Sequence, residues 1–309
     1  MSTARSTDSL AWVVTGPTSG FGQAAALELA RHGHVVLVGR SPEKLAAVRT
    51  QIENNGGVAT TVVGDFSDVV SVRRAAAEIV ALGLPIRGVL NNAGVMLSKP
   101  ARSPQGWELS FASNHLGPLA FTDALLPNLA DGTNVVFIAS ACEDPERRPA
   151  VRAGFRGSRY ISAEASARGE YAPGGSKRAG MDAYATSKQG NLAAVFSLAR
   201  QHPRLRFRGV EPGVNPGSNL GSDASAAVHL LAKLLAPALS LLPHFTTSKR
   251  AGRVIARILT DPSDATGLYY DETGKPMKAS TQVSDPAFSD RFVKESRDLL
   301  VAVTPPTRG

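Results

Sequence analysis

Only one cysteine, Cys142, occurs among the 309 residues. An intramolecular disulfide is excluded, a cysteine-built metal site is disfavoured, and a reducing, cytoplasmic setting is expected. Aromatic residues are scarce too, at 6%. Basic side chains exceed acidic ones for a net charge of +8, but they are scattered and few aromatics lie among them. That distribution argues against a nucleic-acid partner and for a surface that attracts an anionic small molecule. The most apolar stretch, residues 224–242, is interrupted by His229 and Lys233, so no transmembrane segment is expected. Residues 1–9 lack the apolar core of a signal peptide. No His/Cys/carboxylate cluster has metal-ligand spacing, so no metal is expected. The remaining composition, 43% hydrophobic and 19% charged, is that of a globular protein.

The first 140 residues alternate short β-branched runs with longer helical patterns. This predicts strands at 10–15, 34–39, 58–63, 86–91 and 134–140, with helices at 20–32, 42–55, 68–82 and 106–130 between them. The strands are nearly continuous apolar runs, as expected where helices cover both faces of a parallel sheet. The expected fold is α/β: a Rossmann-type, doubly wound parallel sheet, three-layered (α/β/α), in a single domain spanning 1–309. Residues 141–180 break the pattern. Rich in Arg, Gly, Ser and Pro, they read as an irregular insertion with a short helix near 162–168. It carries Arg147, Arg148, Arg152, Arg156 and Arg159, and reads as a solvated flap, with a substrate lid or partner-binding arm as the alternative. Helices at 181–201, 224–242, 247–259 and 289–301 and strands at 205–210 and 267–270 complete the pattern.

Between the first strand and first helix lies Thr15-Gly16-Pro17-Thr18-Ser19-Gly20-Phe21-Gly22. Glycines here permit a tight turn and close approach to a pyrophosphate, whose charge a helix N-terminus favours. Gly16, Thr18, Ser19, Gly20, Phe21 and Gly22 are the candidate cofactor loop. Tyr184 and Lys188, four apart, lie on one face of a helix. There an ammonium can pull a phenol's pKa down from about 10, giving a proton carrier for an alcohol oxygen. The bland alternative is an amphipathic tyrosine on a surface helix.

The loop pattern T-G-x-x-x-G-x-G resembles the short-chain dehydrogenase/reductase family, and further motifs follow in order. Asn91-Asn92-Ala93-Gly94 matches its N-N-A-G motif, which places Asn92, Ala93 and Gly94 at the cofactor. Asn114 and Ser140 match its catalytic asparagine and serine, and Tyr184 and Lys188 complete the tetrad. Glu211-Pro212-Gly213 matches the turn beside the nicotinamide, adding Pro212 and Gly213 to the cofactor residues. Asp65, followed by Phe66, resembles the adenine-contacting aspartate; as a bare feature Asp65 could equally cap the next helix. The segments 106–117 and 183–188 resemble the retinol-dehydrogenase-like branch.

The resemblance implies reversible hydride transfer between a nicotinamide and a carbonyl or alcohol. Tyr184 would be the general acid/base and Ser140 the group holding the oxygen. Lys188 would depress the tyrosine pKa and bind the nicotinamide ribose, and Asn114 would hold a water leading to Lys188. Arg40 follows the predicted second strand, with no carboxylate there, which favours NADP(H) over NAD(H). Residues 214–245 fall where the family builds its substrate lid, and their apolar content suggests a hydrophobic small-molecule substrate. Oligomer or membrane contact stays open for this segment. The family commonly forms dimers or tetramers, which leaves a homo-oligomer open. A catalytically silent NADP(H)-binding regulator of the same fold is the alternative function.

Overall fold

The computed structural model describes residues 10–97, 99–215 and 244–303. Seven strands make one sheet: β1 (Ala11–Thr15), β2 (His34–Gly39), β3 (Val58–Val63), β4 (Ile86–Asn91), β5 (Asn134–Ile138), β6 (Arg206–Val210) and β7 (Leu268–Tyr270). All neighbours are parallel, in the order β3-β2-β1-β4-β5-β6-β7. Alternate residues of each strand enter opposite cores. Trp12 and Val14 join Leu29, Leu45 and Ile255 on one face, while Val13 joins Ile79, Phe121 and Leu198 on the other. Both faces of the central strands are thus covered, which explains their nearly continuous apolar runs.

The longer helices are α1 (Gly20–Leu29), α2 (Pro42–Asn54), α3 (Val69–Ala81), α4 (Gly117–Leu125), α5 (Ala179–Gln201), α6 (Ser248–Thr260) and α7 (Pro286–Val301). Ser41 caps α2 by accepting from the Lys44 N–H at 3.3 Å, with Pro42 in the first turn. Asp68, not Asp65, caps α3, accepting from the Val70 N–H at 3.0 Å.

The single helix expected at 106–130 is instead divided. A turn of helix at Leu109–Phe111 runs into a π-helical stretch, Ala112–Leu116, before α4 begins. Gly106, at a φ of 79°, belongs to the turn before it, and the Glu108 carboxylate accepts from the Phe111 N–H at 2.6 Å. The π stretch carries Asn114 at its centre. Such insertions of one residue into a helix re-aim side chains and cluster at functional sites.

The expected solvated flap at 141–180 is docked on the domain. Short helices form at Arg148–Arg152 and Ala163–Arg168, and Tyr160, Ala163, Ala165 and Ala167 are buried. The Tyr160 ring stacks on Phe292 of α7 at 3.9 Å, and its hydroxyl donates to Glu295 at 2.6 Å. Helix α5 is no surface helix: residues 181–195 are all buried. Helix α7 covers one side of it, held by a two-pronged Arg297–Asp123 pair and by Arg200–Asp290. Most of the expected lid, residues 216–243, lies outside the described residues. No described helix is long and apolar enough to cross a membrane.

Candidate active site

Strand order reverses beside β1, and the crevice that opens there at the carboxyl ends of the strands is where ligands bind in sheets of this kind. Its cavity measures about 860 Å³ and runs from Arg40 and Lys44 at one end to Ser140, Tyr184 and Phe155 at the other. Sequence-predicted residues Gly16, Thr18, Ser19, Gly20, Phe21, Asp65, Phe66, Asn92, Ala93, Gly94, Lys188, Pro212 and Gly213 also line it. Gly22 and Asn114 do not line it directly.

The loop after β1 turns through left-handed backbone at Gly16 and Gly20, with φ of 64° and 57°. Helix α1 then starts at Gly20, and the Ser19 hydroxyl caps none of its N–H groups. The loop rests on Asn92, whose Nδ2 donates to the carbonyls of Thr15 and Gly16 at 2.9 and 3.1 Å. In return Thr15 Oγ1 accepts from the N–H groups of Asn92 and Ala93 at 2.9 and 3.0 Å. A Cβ on Gly22 would lie 2.3 Å from both Asn92 Nδ2 and the Gly16 carbonyl oxygen. Gly22 therefore acts by letting α1 approach this clasp. Thr15 is a supporting residue to which the sequence reading assigned no role; its one signal is a hydroxyl at a strand end before the first glycine.

At the end of the crevice beside β2, Arg40 is exposed and Lys44 follows it on α2. No described carboxylate pairs with either. Lys44 was missed from sequence because its number alone does not say that α2 turns that side chain into the crevice. The Ser41 hydroxyl is taken by Glu43 at 2.8 Å as well as by its capping bond. Asp65 accepts from the N–H and hydroxyl of Ser67 at 2.9 and 2.8 Å, which fixes its carboxylate at the crevice. The Phe66 ring packs edge-on against Phe121 at 5.2 Å. Two unpaired cations, a glycine cradle that a Cβ would fill, and free N–H groups on α1 together fit a dinucleotide phosphate.

At the other end, Tyr184 and Lys188 of α5 are 8% and 4% exposed, and Lys188 Nζ lies 5.4 Å from the Tyr184 ring centroid. Lys188 donates to the Ile138 carbonyl at 2.8 Å, anchoring α5 to the end of β5. Burial pushes the Lys188 ammonium down to about 8. The expectation that Lys188 lowers the Tyr184 pKa is not met: burial, with the nearby Cys142 and Glu211, holds the phenol well above its usual value. Desolvation penalises the phenolate and leaves the neutral phenol favoured. The phenol is consequently protonated at neutral pH, the form a proton donor requires.

Ser140 follows β5, and its hydroxyl accepts from the Cys142 N–H at 3.5 Å, with the Glu211 carboxylate nearby. Glu211 accepts from the N–H groups of Ala141 and of Gly213, the latter at 2.9 Å. Burial still raises its pKa. Glu211 joins the loop after β5 to the turn after β6 beside Ser140; sequence reading treated it only as part of a turn. Asn114 is bonded through both atoms of its amide. Its Oδ1 accepts from the Val95 N–H at 2.7 Å, and its Nδ2 donates to the Val95 carbonyl and Ser187 Oγ at 2.8 and 3.0 Å. The side chain thus clamps the loop after β4 to α5 and has no amide hydrogen left for a water. Cys142 is buried, its thiol pushed up to about 12, and is no nucleophile. His115 is a neutral core residue, driven down to about 3 by burial and bonded to Ser296 at 2.8 Å.

Residues 11–148 match the family model described as short chain dehydrogenase. Over this stretch the chain is similar to the short-chain dehydrogenase/reductase family. Among relatives of this family, a short-chain dehydrogenase/reductase of Armillaria gallica is 33% identical over 62% of this chain and 59% of its own. Human retinol dehydrogenase 11 is 35% identical over 38% of each chain, in keeping with the retinol-dehydrogenase-like branch. The chain spans less than two thirds of the length of these curated relatives. A Shigella flexneri family structure complexed with NADP is 26% identical, covers 86% of this chain and 99% of its own, and has a TM-score of 0.60.

Proposed function

We propose that this protein is an NADP(H)-dependent oxidoreductase acting on the carbonyl or secondary alcohol of a hydrophobic small molecule. One observation carries the reading: a single crevice joins two phosphate-suited cations and a glycine cradle to a buried, protonated tyrosine. Gly16, Gly20, Asn92, Arg40, Lys44 and Lys188 would hold the dinucleotide. Bound there, the reduced nicotinamide supplies a hydride to a carbonyl carbon. Tyr184 protonates the carbonyl oxygen as it gains charge. Ser140, on the loop that Glu211 fastens, hydrogen-bonds the same oxygen and fixes its position. Lys188 stabilises the phenolate that Tyr184 leaves behind, and Asn114 keeps the neighbouring loop in place. The Shigella relative's complex with NADP supports the choice of cofactor.

Loss of NADPH absorbance across a panel of hydrophobic ketones, aldehydes and quinones tests the activity. Turnover is expected; tight NADPH binding without any turnover favours a silent regulator. Arg40→Asp should lower the NADPH-to-NADH ratio of kcat/KM by about a hundredfold, because a phosphate partner becomes a repulsive carboxylate. An unchanged ratio removes Arg40 from cofactor recognition.

The reductive pH profile follows from Lys188. Its ammonium is present below about 8 and lost above it. Activity should be level on the acid side of that value and fall as pH rises through it. A reductive kcat/KM that climbs through this range contradicts the assignment.

A further inference from the structure

We propose, building on the reductase reading, that the substrate carries a carboxylate on its apolar body and that Arg147 receives this group. The insertion builds the wall of the cavity beside Tyr184. Phe155 lies with its ring centroid 6.4 Å from that of Tyr184, and Met96, Ala150 and Phe155 pack on the Tyr184–Cys142 cluster. Arg147 lines this cavity three residues before Ala150 and is half-buried. From Arg147 to Ser162 the insertion holds five arginines and no carboxylate.

Arg147 differs from its equals in the fold. The other half-buried arginines among the described residues, Arg73, Arg87, Arg159, Arg206 and Arg297, each donate to a carbonyl or carboxylate. No described residue accepts from the Arg147 side chain. The carboxylates that share its cavity are engaged elsewhere: Glu211 by the Ala141 and Gly213 N–H groups, Glu272 by His244 at 3.2 Å and Asp65 by Ser67. A partly desolvated guanidinium without a partner is costly, and an oxyanion is its best match. A proton donor, an apolar wall and this cation lining one cavity describe an oxo acid: carbonyl at Tyr184, chain along Phe155 and Met96, carboxylate at Arg147.

The test uses the full chain with NADPH and a series of medium- and long-chain oxo acids, each beside its methyl ester. The best acid should exceed its ester in kcat/KM by about tenfold or more, the scale of a charge-assisted hydrogen bond. Arg147→Met should bring that ratio to about one, whereas Arg148→Met, an exposed arginine off the cavity, should leave it within about twofold. Calorimetric binding of the same acids and esters to the NADP⁺-loaded protein gives a second readout. If no carbonyl turns over, the reductase reading fails, and acid-over-ester binding that depends on Arg147 still decides the anion site. Equal acids and esters in both assays overturn the proposal. So does an Arg147→Met variant that loses NADPH affinity while keeping the acid-to-ester ratio, which would assign the cation to the cofactor.

Discussion

Replacing Tyr184 with Phe should lower turnover by about a thousandfold, the scale of a positioned general acid, while NADPH affinity stays within about twofold because only a hydroxyl is removed. The ring fills the same space beside Phe155 and Cys142, so the fold should survive. This matters because the phenol is buried and held in its protonated form. Proton donation to a developing alkoxide is the one task that Phe cannot perform. Steady-state rates with a hydrophobic ketone, beside NADPH titration by fluorescence, check both halves. Retained turnover would move the proton-donor role away from Tyr184.

Gly22→Ala should be the most damaging single methyl group in the cofactor half of the site. Its Cβ would stand 2.3 Å from the Gly16 carbonyl oxygen and from Asn92 Nδ2, the two ends of the clasp beneath the glycine loop. Neither is the free end of a flexible chain, so α1 must shift or the clasp must open. Overpacking of this kind costs about 2 kcal/mol, visible as a lower urea midpoint. NADPH Kd should rise by about a hundredfold as the N–H groups of α1 lose their placement. Unchanged affinity and stability would mean that the loop does not depend on this close approach.

Much of the site was legible because it is written in local patterns. The glycine loop sits between an apolar run and an alanine-rich helix, and the Tyr184/Lys188 spacing is a helical period; both are properties of a few adjacent residues. The strands were legible for the same reason, the central ones being apolar on two faces. What escaped depends on the meeting of distant segments. Glu211 looked like a turn residue until the turn after β6 met the loop after β5. The interruption at Asn114 is invisible in composition, since a π stretch differs from an α-helix only in which carbonyl each N–H reaches. The direction of the Tyr184 pKa depends on burial of α5 beneath α7 and the insertion, which spacing alone does not report. The same docking turned an expected solvated flap into the wall of the cavity.

The central claim is that this crevice passes a hydride and a proton to one carbonyl. The most direct measurement uses NADPH deuterated at C4 of the nicotinamide with a hydrophobic ketone, followed by mass spectrometry of the product. The account predicts an alcohol carrying one deuterium on the former carbonyl carbon, formed by the wild-type protein and not by Tyr184→Phe. Tight NADPH binding with no labelled alcohol from any ketone or aldehyde tried would contradict it.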